Sequence, residues 1–120
     1  MLTDGFIELG DVESLNQLLV QSHSTPIVIF KHSNACGISS GAYAHMSQVE
    51  WIVGIVTIQE ARDVSDEIER RLGVTHESPQ VLIVHNGSVV WSASHGQVRA
   101  EVVAAALAES VGQRAVGRRQ

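Results

Sequence analysis

Short, continuously apolar runs alternate with amphipathic stretches along this chain. "DVESLNQLLV" (11–20) places Val12, Leu15, Leu18 and Leu19 at helical spacing behind Asp11, a good N-cap. "TPIVIFK" (25–31) is β-branched and apolar throughout, which predicts a strand buried on both faces. "GISSGAYAHMSQ" (37–48) is small and moderately helical, and "WIVGIVTI" (51–58) reads as a second buried strand. "ARDVSDEIERRLG" (61–73) is an amphipathic helix. Its Val64, Ile68 and Leu72 share a face, Asp66/Arg70 and Glu67/Arg71 stand four apart as ion pairs, and Gly73 supplies the stop. "QVLIV" (80–84) and "VVWSA" (89–93) flank "HNGS", whose Asn-Gly is a strong hairpin signal. "QVRAEVVAAALAES" (97–110) closes the pattern as an alanine-rich helix, and "FIEL" (6–9) reads as an extra edge strand.

The predicted order is (β)αβαβαββα. Strand–helix–strand units pair in parallel with right-handed crossovers, and the hairpin adds antiparallel strands. The expected architecture is α/β, a mixed central sheet flanked by helices on both faces, in the element order of the thioredoxin fold. A chain of 120 residues makes one domain, expected over 1–112, followed by a basic, frayed tail at 113–120. Its 44% hydrophobic content supports a core, and a chain of this size buries roughly 65% of its extended surface without disulfides.

One cysteine allows no internal disulfide, whereas small secreted domains tend to be disulfide-rich. The first residues, "MLTDGFIELG", lack the basic and long apolar regions of a signal peptide. The apolar runs fall short of the ~18 residues of a membrane span. A cytoplasmic, soluble protein is the expectation. The net charge is −5, with no basic stripe except "RAVGRR", so neither nucleic acid nor membrane is an expected partner.

The chemistry concentrates in "FKHSNACGISS" (30–40), which holds the sole cysteine, Cys36, and the sole lysine, Lys31. Cys36 follows a buried strand and a short loop, which puts it at the start of the next helix. Backbone N–H groups and the helix dipole favour a thiolate there. Lys31 and His32 are expected to add positive potential. Cys36-Gly37-Ile38-Ser39 is C-x-x-S. Ser39 stands where a resolving thiol would be and cannot be oxidised. Exchange therefore stops at a mixed disulfide until another molecule's thiol arrives. Ser39 can still donate a hydrogen bond to the thiolate, and Gly37 leaves a further N–H free. In a thioredoxin-like fold a cis-proline precedes the strand entering the hairpin and lies against the cysteine. Pro79, after Ser78, holds that position, with His76 and Glu77 expected to line the cleft.

Taken together, "KHSNACGIS", "VSDEIERRLGV", "HESPQVLIV" and "NGSVVWSASH" resemble the YtxJ-type monothiol bacilliredoxins over roughly residues 5 to 105. The resemblance implies a thioredoxin fold and an active-site cysteine matching Cys36. Its serine matches Ser39 and its cis-proline matches Pro79. It also implies removal of bacillithiol from mixed disulfides on cytosolic proteins. The partners would be S-thiolated clients and a low-molecular-weight thiol as co-substrate, with no tightly bound cofactor. The chain departs from the family pattern at Gly37, where a proline is usual, and at Gly96, where an aromatic residue usually follows Ser94-His95.

Gly37 also gives the motif a likeness to the Cys-Gly-Phe-Ser of monothiol glutaredoxins, which implies an iron–sulfur cluster carrier as the alternative. The glutathione-gripping residues of that family are absent. A redox-inert binding module is the third reading. The six histidines form no compact ligand motif, so no metal site is expected. Trp91 reads as packing, and His95 need not approach Cys36. For Cys36 the expectation is a thiolate absorbance midpoint below about 8.5 in a pH titration. A midpoint at or above that value favours an inert thiol.

Overall fold

The computed structural model describes residues 5–34 and 37–117. Five strands form a single sheet in the order β1-β3-β2-β4-β5. They are β1 (Phe6–Glu8), β2 (Ile27–His32), β3 (Val53–Thr57), β4 (Gln80–His85) and β5 (Ser88–Ser94). Both β1 and β2 run parallel to β3, whereas β4 is antiparallel to β2 and β5. The helices are α1 (Val12–Gln21), α2 (Gly37–Met46), α3 (Arg62–Leu72) and α4 (Ala100–Gly117), with a 3₁₀ turn at His95–Gln97. The mixed sheet between helical layers, read from the strand and helix pattern, is what the chain builds.

Local chemistry explains the boundaries. The Asp11 side chain accepts from the Ser14 N–H at 2.9 Å, capping α1. Gly73 ends α3 in the left-handed conformation at φ 70°. Asn86 and Gly87, at φ 56° and 76°, make the hairpin turn. The N–H groups of Asn86 and Gly87 donate to Ser22, one to its carbonyl at 2.7 Å and one to its hydroxyl at 3.0 Å.

Two differences from the sequence pattern are local. Arg70 pairs with Glu67 rather than Asp66, because Glu67 gathers both Arg70 and Arg71 on one face. The backbone of α4 continues to Gly117, past residue 112, through the helix-forming Gln113, Arg114 and Ala115.

β2 is buried at every residue, and its side chains feed two cores. Val28 and Phe30 pack with Ala42 and Met46 of α2 and Val103 and Leu107 of α4. Ile27 and Ile29 pack with Leu15 and Leu18 of α1 and Val64 and Ile68 of α3. The sheet thus has α2 and α4 on one face and α1 and α3 on the other.

Gly54, in β3, shows how closely the second layer sits. A Cβ there would lie 2.6 Å from Leu18 Cδ2 and 2.8 Å from Leu9 Cδ1. Gly54→Ala is expected to lower stability by about 1–3 kcal/mol, read as a lower denaturation midpoint at unchanged m-value.

Candidate active site

The site is assembled where β2 ends. Ile58 N–H donates to the His32 carbonyl at 2.9 Å, continuing the β2–β3 pairing past the last strand residue. Gln59 then pins the loop that follows. Its Nε2 donates to Ser33 Oγ at 2.7 Å, and its Oε1 accepts from the Asn34 N–H at 3.3 Å. Helix α2 begins at Gly37, with Ser39 in its first turn. Cys36, and with it the expected hydrogen bond from the Ser39 hydroxyl, lies outside the described residues.

The proline loop arrives by register. Lys31 pairs with Gln80 across the antiparallel β2–β4 ladder. One step further along that register sets Pro79 beside His32. The Ser78–Pro79 bond is cis. On the other side Gln80 pairs with Ser94. The next residue, His95, donates its backbone N–H to the Pro79 carbonyl at 2.9 Å. His32, Pro79 and His95 thus form a row across three strand ends. His95 has φ 55°, and its Nε2 lies 2.6 Å from Glu77 Oε1. The proline loop is therefore clamped by a main-chain bond and a side-chain bond from the same residue. The sequence pattern by itself does not place His95 at the site. The missing signal was register: only pairing of β4 with β5 reveals that the residue after Ser94 falls opposite Pro79. Gln59 gave no sequence signal at all.

The other expected residues separate onto two faces. His32 lies on the α2 side, its ring centroid 5.6 Å from Phe30 and 5.1 Å from Tyr43. Burial holds its pKa below the ordinary 6.5, so the ring is uncharged at neutral pH. Its Nδ1 is buried with no hydrogen-bond partner among the described residues.

Lys31 points the opposite way, as alternation requires. Its side chain is fully buried, and Nζ has no hydrogen-bond partner among the described residues. Burial pushes its pKa down, and Glu69 and Asp66 of α3 oppose that shift. Gln80, its cross-strand neighbour, donates Nε2 to the Thr75 carbonyl at 3.1 Å and keeps a buried Oε1 with no such partner.

His76 joins this second group. Its Nδ1 is 3.3 Å from Ser65 Oγ, and its N–H donates to Glu69 Oε2 at 3.2 Å. Burial, followed by the charge of Lys31, lowers its pKa. Ser78 Oγ is also buried without a partner among the described residues. The structure therefore brings His32, Pro79, Glu77 and His95 together at the strand ends. It gathers Lys31, Gln80 and His76 beneath α3.

The family described as "Monothiol bacilliredoxin BrxC" matches residues 7–103. The chain belongs to this monothiol bacilliredoxin family. The match spans Cys36, Ser39, Pro79 and His95. A solved structure described as a candidate oxidoreductase with a thioredoxin fold is 28% identical, with a TM-score of 0.79. The alignment covers 88% of this chain and 98% of that one. Fasciola hepatica thioredoxin is 14% identical at a TM-score of 0.70, covering 87% of this chain and 98% of its own. Mitochondrial thioredoxin 3 from Saccharomyces cerevisiae is 12% identical at 0.70, with 89% and 99% covered. At those identities the two thioredoxins speak for the fold alone. Family and fold together make this chain an oxidoreductase of thiol chemistry.

The buried ammonium of Lys31 has a measurable cost. Lys31→Met is expected to raise stability by about 1–4 kcal/mol at neutral pH, because it removes, at similar volume, a buried amine with no hydrogen-bond partner among the described residues. The folded-state pKa lies below the ordinary 10.5, so the unfolded chain binds the extra proton between those values. The wild-type penalty is full below the folded pKa and fades as pH rises towards 10.5. Denaturation midpoints of both proteins, measured across that range, should converge at the alkaline end.

Proposed function

We propose that the protein removes bacillithiol, or a similar low-molecular-weight thiol, from mixed disulfides on client proteins by a monothiol route. The observation that carries this reading is the family match across residues 7–103, a stretch whose only cysteine is followed by Gly-Ile-Ser. The clamped Pro79 loop supports it, since it stands at the end of β2, the strand that precedes Cys36 in the sequence.

The Cys36 thiolate attacks the small-thiol sulfur of the client disulfide. The old S–S bond breaks, a new one forms between Cys36 and the small thiol, and the client cysteine leaves as a thiolate that takes up a proton. Ser39 offers no sulfur, so a second small thiol, as thiolate, attacks the adduct. It releases the symmetrical disulfide of the small thiol and restores the Cys36 thiolate. Reduction of that disulfide falls to a separate reductase. The start of α2 favours the thiolate through its backbone N–H groups. The cytoplasm, where thiols are kept reduced, is the compartment this chemistry suits.

The test is transfer of mass. Reduced protein incubated with a bacillithiolated client should gain the adduct as the client loses it. Cys36→Ser should abolish transfer. Ser39→Ala should slow it by roughly the tenfold or less that one lost hydrogen bond of about 1 kcal/mol implies. A client that keeps its adduct while the protein assembles a coloured iron–sulfur species would favour the carrier reading. A client that keeps its adduct with no such species would favour a binding module.

A further inference from the structure

Beside the clamped proline loop lies a cavity of about 250 Å³ between α2, the 3₁₀ turn and the start of α4. Its walls include Gly41 and His45 of α2, His95 and Gly96 of the turn, and Arg99. Three basic side chains around one small cavity are notable in a chain of net charge −5.

Their hydrogen bonds set what they offer. His45 Nδ1 accepts the Ala100 N–H at 3.0 Å, so the ring proton sits on Nε2, which is left as a donor. Arg99 uses one NH2 contact on Glu101 at 2.7 Å, and a guanidinium carries five N–H donors. His95 is fixed by Pro79 and Glu77. The acidic neighbours Glu77 and Glu101 each already face a basic partner.

The cavity also abuts α2, the helix that follows Cys36 in the sequence. Gly41 lies four residues into α2 from Gly37, about 6 Å along the helix axis. A three-residue thiol spans about 10 Å when extended.

We propose that this cavity holds a carboxylate of the small thiol while its sulfur is exchanged at Cys36, with Arg99 and His45 as the donors. The inference rests on the exchange reading above and names the feature by which the small thiol is selected. A thiol without a carboxylate would reach Cys36 equally well but gain nothing from the cavity.

Two measurements separate the cavity from the exchange. The first is transfer to reduced protein from a client carrying either a glutathionyl or a hydroxyethyl mixed disulfide. Arg99→Gln, at an exposed position, should slow the glutathionyl reaction about threefold to tenfold and leave the hydroxyethyl reaction unchanged. Added salt should narrow the wild-type preference between the two. The second is NMR titration with S-methylglutathione, which cannot exchange. Shifts should centre on Gly41, His45, Gly96 and Arg99, and weaken by a similar factor in Arg99→Gln. Equal rates for both clients, or a loss in Arg99→Gln that is the same for both, overturns the cavity and leaves exchange intact. Binding that depends on Arg99 without any transfer upholds the cavity and overturns exchange. Neither binding nor transfer overturns both.

Discussion

The antiparallel register between β2 and β4 is the constraint on which the site depends. It places Gln80 opposite Lys31 and so carries the Pro79 loop to the end of β2. A slip of one residue would exchange the faces of every side chain in the strand. In most sheets the hydrophobic alternation forbids such a slip. Here β2 and the body of β4 are apolar on both faces, so alternation gives little guidance. The register must be set at the ends. The Asn86-Gly87 turn, held to Ser22 at the far end of α1, fixes β4 relative to β5 and to the helix layer. Lys31 and Gln80, the polar pair at the other end, sit on the same face and would be stranded against apolar neighbours by a shift.

Local structure is legible in the sequence. The strands, helices, N-cap, C-cap and hairpin turn are local events with local signals and appear close to where their residues place them, while α4 starts at Ala100 and runs on to Gly117. The family resemblance rests on contiguous motifs, and the match over residues 7–103 agrees with it. What stayed hidden is the outcome of pairing between distant segments. His95 joins the Pro79 loop only because β5 lies beside β4, and Gln59 holds Ser33 and Asn34 only because β3 lies beside β2. The direction of adjacent side chains was hidden too. Lys31 and His32 look like one cationic step before Cys36, but strand alternation sends one beneath α3 and the other against Tyr43.

That division changes the electrostatics of the site. With His32 uncharged at neutral pH and Lys31 turned towards Glu69 and Asp66, neither supplies a simple positive charge on the α2 side. For the thiolate proposed above, what remains is the general preference of backbone N–H groups at a helix N-terminus for negative charge. These groups are fixed in direction and do not titrate.

The placement of Lys31 also decides how the folded molecule meets amine chemistry. It is the only lysine in the sequence, and its side chain is wholly enclosed. Acylating reagents, lysine-directed cross-linkers and enzymes that tag ε-amines find no lysine on the folded surface. Any modification of Lys31 must wait for the β2–α3 layer to part, so its acylation rate reports opening of the core in the way that slow amide exchange does.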